Sequence, residues 1–294
     1  MSTIFFKTSG NCLLILCLLA VATWLGSTHV SAQASSAAEP SRIVIVGDST
    51  VCNYPSTQTN RGWGQYIAEY FRDGAVNIIN LAEGGRSTKS FLREGRWLKA
   101  LAERPDFVLI QFGHNDSHAL DKPEATDAAT DYKDNLRRYV DESHAVGATP
   151  ILITPMVRRV FDAEDKIVEG ATERSLLAYA NAMKEIAVEK KVAVIDLHAS
   201  SQALAEKLGP KANAELANRE GDVTHFNEKG ARAMADLIMK ELPMVEPRLK
   251  VLVLTHLPLT MDAALQTHPV GARASLFIVT RDGSEFPAEW RIFR

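Results

Sequence analysis

Four short segments of this chain hold residue types suited to nucleophilic catalysis. Gly47-Asp48-Ser49-Thr50 places a serine directly after an apolar run. A serine at the carboxyl end of a strand, beside a glycine, has an accessible Oγ and free backbone N–H groups nearby, as an activated nucleophile requires. Gly84-Gly85-Arg86-Ser87 follows a second apolar run, and its glycines allow close backbone approach and a free N–H. Gly113-His114-Asn115-Asp116 follows a third, where an asparagine amide can donate to a developing oxyanion. Asp222-Val223-Thr224-His225 has the spacing of three that brings two side chains together within one helical turn. The carboxylate can then fix the imidazole tautomer and leave the other ring nitrogen as a general base. Taken singly, each segment also reads as ordinary structure: a turn or helix cap, a tight glycine turn, an Asx-turn, a capping aspartate beside a surface histidine.

Such segments act together only if a scaffold brings their ends to one place. Residues 42–46, 76–81, 106–111, 150–153 and 192–195 are short apolar runs without polar alternation, the pattern of strands buried on both faces. Between them, 64–71, 132–146, 173–190 and 227–242 carry apolar residues at helical spacing, with Asn227 as an N-cap for the last. Strands alternating with helices predict βαβ units, an α/β fold and a parallel sheet. Ligands bind open α/β sheets at the carboxyl ends of the strands, so the loops at 47–54, 84–90 and 113–118 are expected to converge on one crevice. The stretch 121–131 is acidic and loop-like. Beyond it all, 249–254 and 275–280 read as strands, and 286–293 pairs back across the turn signal Arg281-Asp282-Gly283-Ser284. The pattern leaves open a small C-terminal β appendage, an edge addition to the main sheet, or a poorly packed extension.

The chain has 294 residues, 46% hydrophobic and 23% charged, which excludes a disordered, collagen-like or coiled-coil protein. Its 33 basic and 36 acidic residues leave a net charge of −3, without the clustered positive charge that nucleic acid demands. The cysteines, Cys12, Cys17 and Cys52, form no CxxC pair, so a zinc ribbon or thioredoxin-like motif is excluded. No HExxH, Walker A or GxSxG motif is present. A two-metal phosphoesterase needs clustered His and Asp ligands, yet the early Asp-x-His is absent and Asp196-Leu197-His198 falls after the fifth strand. No metal and no cofactor is expected. His114, His118, His144 and His198 read as structural or surface residues, and Cys52 as a small buried residue near Ser49.

Lys7, an apolar run at 12–22 and Val30-Ser31-Ala32 form the n-region, h-region and small-x-small site of a signal peptide over 1–32. The expectation is export, secreted or periplasmic, with cleavage near Ala32, Cys52 as the single remaining cysteine and no membrane association afterwards. Residues 33–40 read as a short Ala/Ser-rich linker.

The four segments, in this order, resemble the SGNH (GDSL-like) hydrolase superfamily over roughly 41–242. The resemblance implies a three-layer α/β/α domain over 41–244, flavodoxin-like with a central five-stranded parallel sheet, followed by a C-terminal extension over 245–294. It implies Ser49 as nucleophile, His225 as base and Asp222 as its orienting partner. The oxyanion hole is then Ser49 N–H, Gly85 N–H and the Asn115 side chain. Within that superfamily, Gly47-Asp48-Ser49-Thr50-Val51, Gly62-Trp63-Gly64, Gly85-Arg86-Ser87, Phe112-Gly113-His114-Asn115-Asp116, Thr154-Pro155-Met156-Val157-Arg158-Arg159 and Asp222-Val223-Thr224-His225-Phe226-Asn227 are similar to the rhamnogalacturonan acetylesterase family of carbohydrate esterases. Thr50 stands where lipase-like relatives usually have Leu. The implied activity is removal of O-acetyl groups from plant cell-wall polysaccharide, with an acetylated polysaccharide or oligosaccharide as the partner molecule.

Arg86, Lys89, Arg158 and Arg159 lie on loops expected to face the crevice, where guanidinium forks can bind uronate carboxylates. A structural ion-pair role for two of the four competes with that reading. Trp63 and Trp97 could stack on sugar rings, although core packing suits both better. An acetylxylan esterase or lipase-like acyl hydrolase remains as an alternative, and a non-catalytic carbohydrate-binding protein as one of another class. Which acetylated sugar is the substrate, and the oligomeric state, are not legible in the residues.

Overall fold

The computed structural model describes residues 39–254, together with the backbone of 277–279 and 285–287. Five strands form one parallel sheet: β1 Ser41–Gly47, β2 Val76–Asn80, β3 Phe107–Gln111, β4 Thr149–Ile153 and β5 Ala193–Ile195. Their order is β2-β1-β3-β4-β5. All four pairings are parallel, with Ile45 opposite Asn80 on one side and Leu109 on the other. This is the flavodoxin-like order, in which the chain reverses direction across the sheet between β1 and β3.

Alternation along the strands separates two cores. Ile43, Ile45, Leu109, Ile151 and Ile153 face a layer that includes Trp63, Ile67, Leu197 and Ile238. Val44, Val46, Val108, Ile110 and Leu152 face Phe91, Trp97, Tyr139, Tyr179 and Met183. Successive side chains of a strand point to opposite faces, so a strand apolar at every position must be covered twice. The covering helices are α1 Thr88–Arg93, α2 Arg96–Ala102, α3 Asp131–Ala145, α4 Leu176–Lys190, α5 Leu197–Ala214, α6 Glu228–Val245 and α7 Pro247–Lys250. The result is the three-layer α/β/α arrangement.

Several local expectations are corrected. The helical pattern at 64–71 folds as two short 3₁₀ turns, Trp63–Gln65 and Ile67–Tyr70. Helices α1, α2 and α5 were not signalled by clear apolar periodicity. The segment 249–254 is not a strand. It holds the end of α7 and a turn, and only Val253 pairs, in an isolated bridge with Phe71. Leu249 is fully buried, and Arg72 N–H donates to Leu252 O at 2.9 Å. The chain up to 254 therefore packs onto the core, past the boundary expected at 244. Farther on, β6 Phe277–Val279 and β7 Glu285–Pro287 pair antiparallel, with Ile278 opposite Phe286, inside the expected hairpin. The expected signal peptide, most of the linker and the rest of the C-terminal extension lie outside the described residues. Among the described residues no helix is long and apolar enough to cross a membrane.

Candidate active site

Ser49 sits two residues beyond β1, at the carboxyl edge of the sheet. Asp48 organises its turn: Asp48 Oδ1 accepts from Thr50 N–H at 2.9 Å and from Thr50 Oγ1–H at 2.8 Å, and Asp48 O accepts from Val51 N–H and Cys52 N–H. Buried donors continue outward, from Gln111 Nε2 to Thr50 Oγ1 and from Trp63 Nε1 to Gln111 Oε1. Tyr54 Oη–H donates to Ser49 O at 2.8 Å. Every polar atom in this chain of contacts but one has a partner, which locks a buried turn into a single geometry. The exception is Asp48 Oδ2, which lies 3.4 Å from His114 Nδ1. Burial pushes His114 down, so it faces Asp48 as a neutral ring.

The Asp222–His225 segment arrives from the other end of the chain. His225 Nε2 lies 3.0 Å from Ser49 Oγ, and His225 Nδ1 lies 3.1 Å from Asp222 Oδ2. A neutral imidazole has one N–H, so Nδ1–H donating to the carboxylate leaves Nε2 to accept from the serine. Asp222 Oδ1 accepts from Thr224 N–H at 2.9 Å and His225 N–H at 2.8 Å. Burial alone would raise Asp222, but these two N–H donors and the imidazole outweigh it and hold it below the usual carboxylate range. Asn227 then caps α6, its Oδ1 accepting from Gly230 N–H at 3.0 Å.

Two further loops meet Ser49. A Cβ on Gly84 would lie 3.7 Å from Ser49 Cβ, which puts the β2 loop directly beside the serine. Gly85 has φ +77° with open space where a side chain would stand, a conformation that costs glycine nothing. Asn115 follows β3, and its Nδ2 donates one hydrogen to Arg86 O at 3.0 Å. An amide nitrogen carries two hydrogens, so one is left to serve a ligand. Gly113 has φ +149°, and a Cβ there would meet Pro155 Cγ at 2.6 Å; glycine lets the loop close over the β4 turn. Ser49, Asn115, Thr224 and His225 line one cavity of about 240 Å³. His114, His118, Arg158, Thr172 and Glu173 complete most of its wall.

Of the four cationic residues expected at the crevice, only Arg158 lines this cavity. Its Nη2 donates to His114 O and Ser117 Oγ, both at 3.0 Å. Arg86 pairs with Glu94 at 3.1 Å and donates to Gly84 O. Lys89 Nζ donates to Ala125 O. Arg159 donates to the backbone carbonyls of Asp222, Thr224 and His225. Burial lowers Arg159 to about 10, which still leaves it protonated at neutral pH. Trp63 and Trp97 are buried in the two cores. Burial pushes the Cys52 thiol up to about 11, an unreactive state. His114 and His118, read as structural or surface residues, reach the cavity wall; their place in the loop after β3 was the available signal. Thr172 comes from an irregular stretch with no motif to mark it, and Glu173, expected to open the helix over 173–190, lies in the same stretch because α4 starts only at Leu176. Among the described residues no group of three or more His, Cys, Asp or Glu is arranged to hold a metal ion.

Residues 45–233 match the GDSL-like lipase/acylhydrolase family. The chain belongs to that family. Rhamnogalacturonan acetylesterase RhgT of Bacillus subtilis is 37% identical over 216 residues, covering 68% of this chain and 88% of that protein. The probable rhamnogalacturonan acetylesterase YesY of the same organism is 37% identical over 220 residues, covering 71% and 97%. Among solved structures, Bacillus subtilis YxiM superimposes with a TM-score of 0.61 at 29% identity, over 70% of this chain and 56% of that one. As a GDSL-like (SGNH) hydrolase the protein is a carboxylic ester hydrolase on a parallel α/β sheet.

Proposed function

We propose that this hydrolase is an exported acetylesterase that removes O-acetyl groups from rhamnogalacturonan through Ser49, His225 and Asp222. The observation that carries the reading is the hydrogen-bonded series Ser49–His225–Asp222 opening on a cavity with Asn115 in its wall. Ser49 Oγ attacks the acetyl carbonyl as His225 Nε2 takes its proton. Asp222 keeps the imidazole oriented and stabilises the imidazolium that forms. The tetrahedral oxyanion accepts hydrogen bonds from Ser49 N–H, Gly85 N–H and Asn115 Nδ2. His225 returns the proton to the departing sugar oxygen, and water repeats the sequence on the acetyl-serine. Asp222, held ionised well into the acid range, supports this relay wherever the imidazole is neutral.

Two further observations support a polar substrate. The cavity wall is rich in polar and charged side chains, among them His118, Arg158, Thr172 and Glu173, where a lipase would present an apolar acyl pocket. The two most similar of the relatives described above carry the name rhamnogalacturonan acetylesterase. Export rests on the signal-peptide pattern at 1–32.

Acetate release by wild type and Ser49→Ala from acetylated rhamnogalacturonan and from acetylxylan tests the reading. The expected result is release from the pectic polymer that falls by about 10⁴-fold or more in the variant, since nucleophile and base act as a unit. Release from xylan alone would keep the mechanism and replace the substrate. Ser49-independent release, or none from either polymer, would overturn the mechanism or leave a carbohydrate-binding role.

A further inference from the structure

Arg159 makes an unusual set of contacts. Its backbone N–H donates to Val223 O at 2.9 Å. Its Nη2 donates to Asp222 O and His225 O, both at 2.9 Å, and its Nη1 to Thr224 O at 3.3 Å. Four successive carbonyls, from Asp222 to His225, thus accept from this one residue. The guanidinium lies 4.2 Å above the Phe226 ring, next in sequence. Among the described residues, the segment 222–225 belongs to no helix or strand, and the one backbone N–H besides that of Arg159 that reaches its carbonyls is Asn218 N–H, at 3.4 Å from His225 O. Arg159 is buried, and the charge of Asp222 favours its protonated form. It is absent from the wall of the cavity that Ser49 lines.

We propose that Arg159 is a positioning residue for the general base: it clamps the Asp222–His225 segment so that His225 Nε2 meets Ser49 Oγ. The inference rests on the reading of His225 as that base. The physical argument is one of geometry. Asp222 fixes the imidazole from the side-chain side, through Nδ1 and two N–H groups. Nothing in that set restrains the peptide carbonyls, and a turn free to rotate its peptides carries the imidazole with it. A planar guanidinium has five N–H donors in a rigid fork and spans several carbonyls at once, which a lysine ammonium cannot reproduce. The adjacent Arg158 reaches the other way, to His114 O and Ser117 Oγ on the loop that carries Asn115. One stretch of chain after β4 therefore ties down both the base loop and the loop of the oxyanion amide.

Displacement of a catalytic group by about 1 Å costs on the order of 10²-fold in rate. The test uses full-length wild type, Arg159→Met, Arg159→Lys and Ser49→Ala, with p-nitrophenyl acetate as substrate. A serine-directed phosphonate titrates the competent sites, so turnover is expressed per titrated site and separated from any loss of folded protein. Arg159→Met is expected to lose about tenfold or more in kcat per titrated site with KM within about twofold of wild type, and Arg159→Lys to fall between the two. A merely structural arginine would lower the titrated fraction and leave turnover per site unchanged; that result would overturn the proposal. A rise in KM at constant kcat would also overturn it, marking a substrate contact instead. Should Arg159→Met yield no folded protein, Arg159→Lys decides: a loss of about threefold or more per site supports the clamp, and a smaller one rejects it. Undiminished turnover by Ser49→Ala would instead remove the acyl-transfer reading itself, whatever the Arg159 variants do.

Discussion

In the proposed mechanism Asn115 is oriented for chemistry before any substrate arrives. It is nearly buried, and its amide is oriented by the bond it donates to Arg86 O. The donor that remains costs no reorganisation when charge develops, which is where such groups have most of their effect. Asn115→Ala is expected to lower kcat by about 10²–10³-fold with little change in KM, measured as steady-state acetate release. A loss below about tenfold would remove it from the oxyanion hole. The cationic residues make the opposite point. Arg86, Lys89 and Arg159 have the charge that a uronate would need, yet Glu94, Ala125 O and the carbonyls of the Asp222–His225 segment each engage part of their donor sets. A residue's type states what it can bind; the partners nearest to it decide what it does bind.

At the scale of elements, the loops are joined by buried polar groups. Asp116 connects the loop after β3 to the start of α1, accepting from Thr88 N–H and Oγ1–H, and to Thr126 Oγ1–H at 2.9 Å. Burial pushes its carboxyl up to about 7, in spite of these donors. In the unfolded chain the same group titrates near the ordinary value of about 3.9. Between the two values the native protein binds the extra proton. The stability this group contributes is therefore full below about pH 4 and is lost as pH rises through about 7. Urea midpoints of wild type and Asp116→Asn at pH 5 and pH 8 check this. The wild type is expected to lose more stability over that interval than the variant; equal losses would show that Asp116 does not titrate there.

At the scale of the whole molecule, the site exists because a parallel sheet reverses its strand order. β1 and β3 are neighbours in the sheet but distant in sequence, and their loops bring Ser49 and Asn115 to one opening. α6 and its preceding turn return from the far end of the chain to deliver His225. Their placement depends on the core beneath, to which α7 adds Leu249. Leu249→Ala is expected to cost about 2–5 kcal/mol of stability. Below the thermal transition it is expected to leave kcat unchanged, because Leu249 is not in the wall of the cavity that Ser49 and His225 line. Denaturant unfolding together with ester turnover tests both halves of the statement, and a fall in kcat at full folding would contradict it.

The five strands and the residue types of the four candidate segments were legible in the residues because each depends on local pattern, although β2 is partly exposed and not buried on both faces. An apolar run of five residues must be covered on both faces, and a glycine, serine or asparagine at its end acts through its own geometry. Less was legible where tertiary contacts decide. Residues 64–71 have helical spacing but form 3₁₀ turns, with Gly64 pressed so close that a Cβ would meet Asn80 Nδ2 at 2.5 Å. Residues 249–254 have strand-like composition, yet no edge of the main sheet receives them as a strand; they close as a helix and turn over the core. The roles of Arg158 and Arg159 were the least visible. The two are neighbours of one type, and only the folded chain brings His114 O to one guanidinium and the base-loop carbonyls to the other. Residues near one another in the chain specified the five sheet strands, their turns and the chemistry on offer, since those depend on local pattern. The tertiary structure alone decided which polar groups share a hydrogen bond, because donors and acceptors are matched by distance in space.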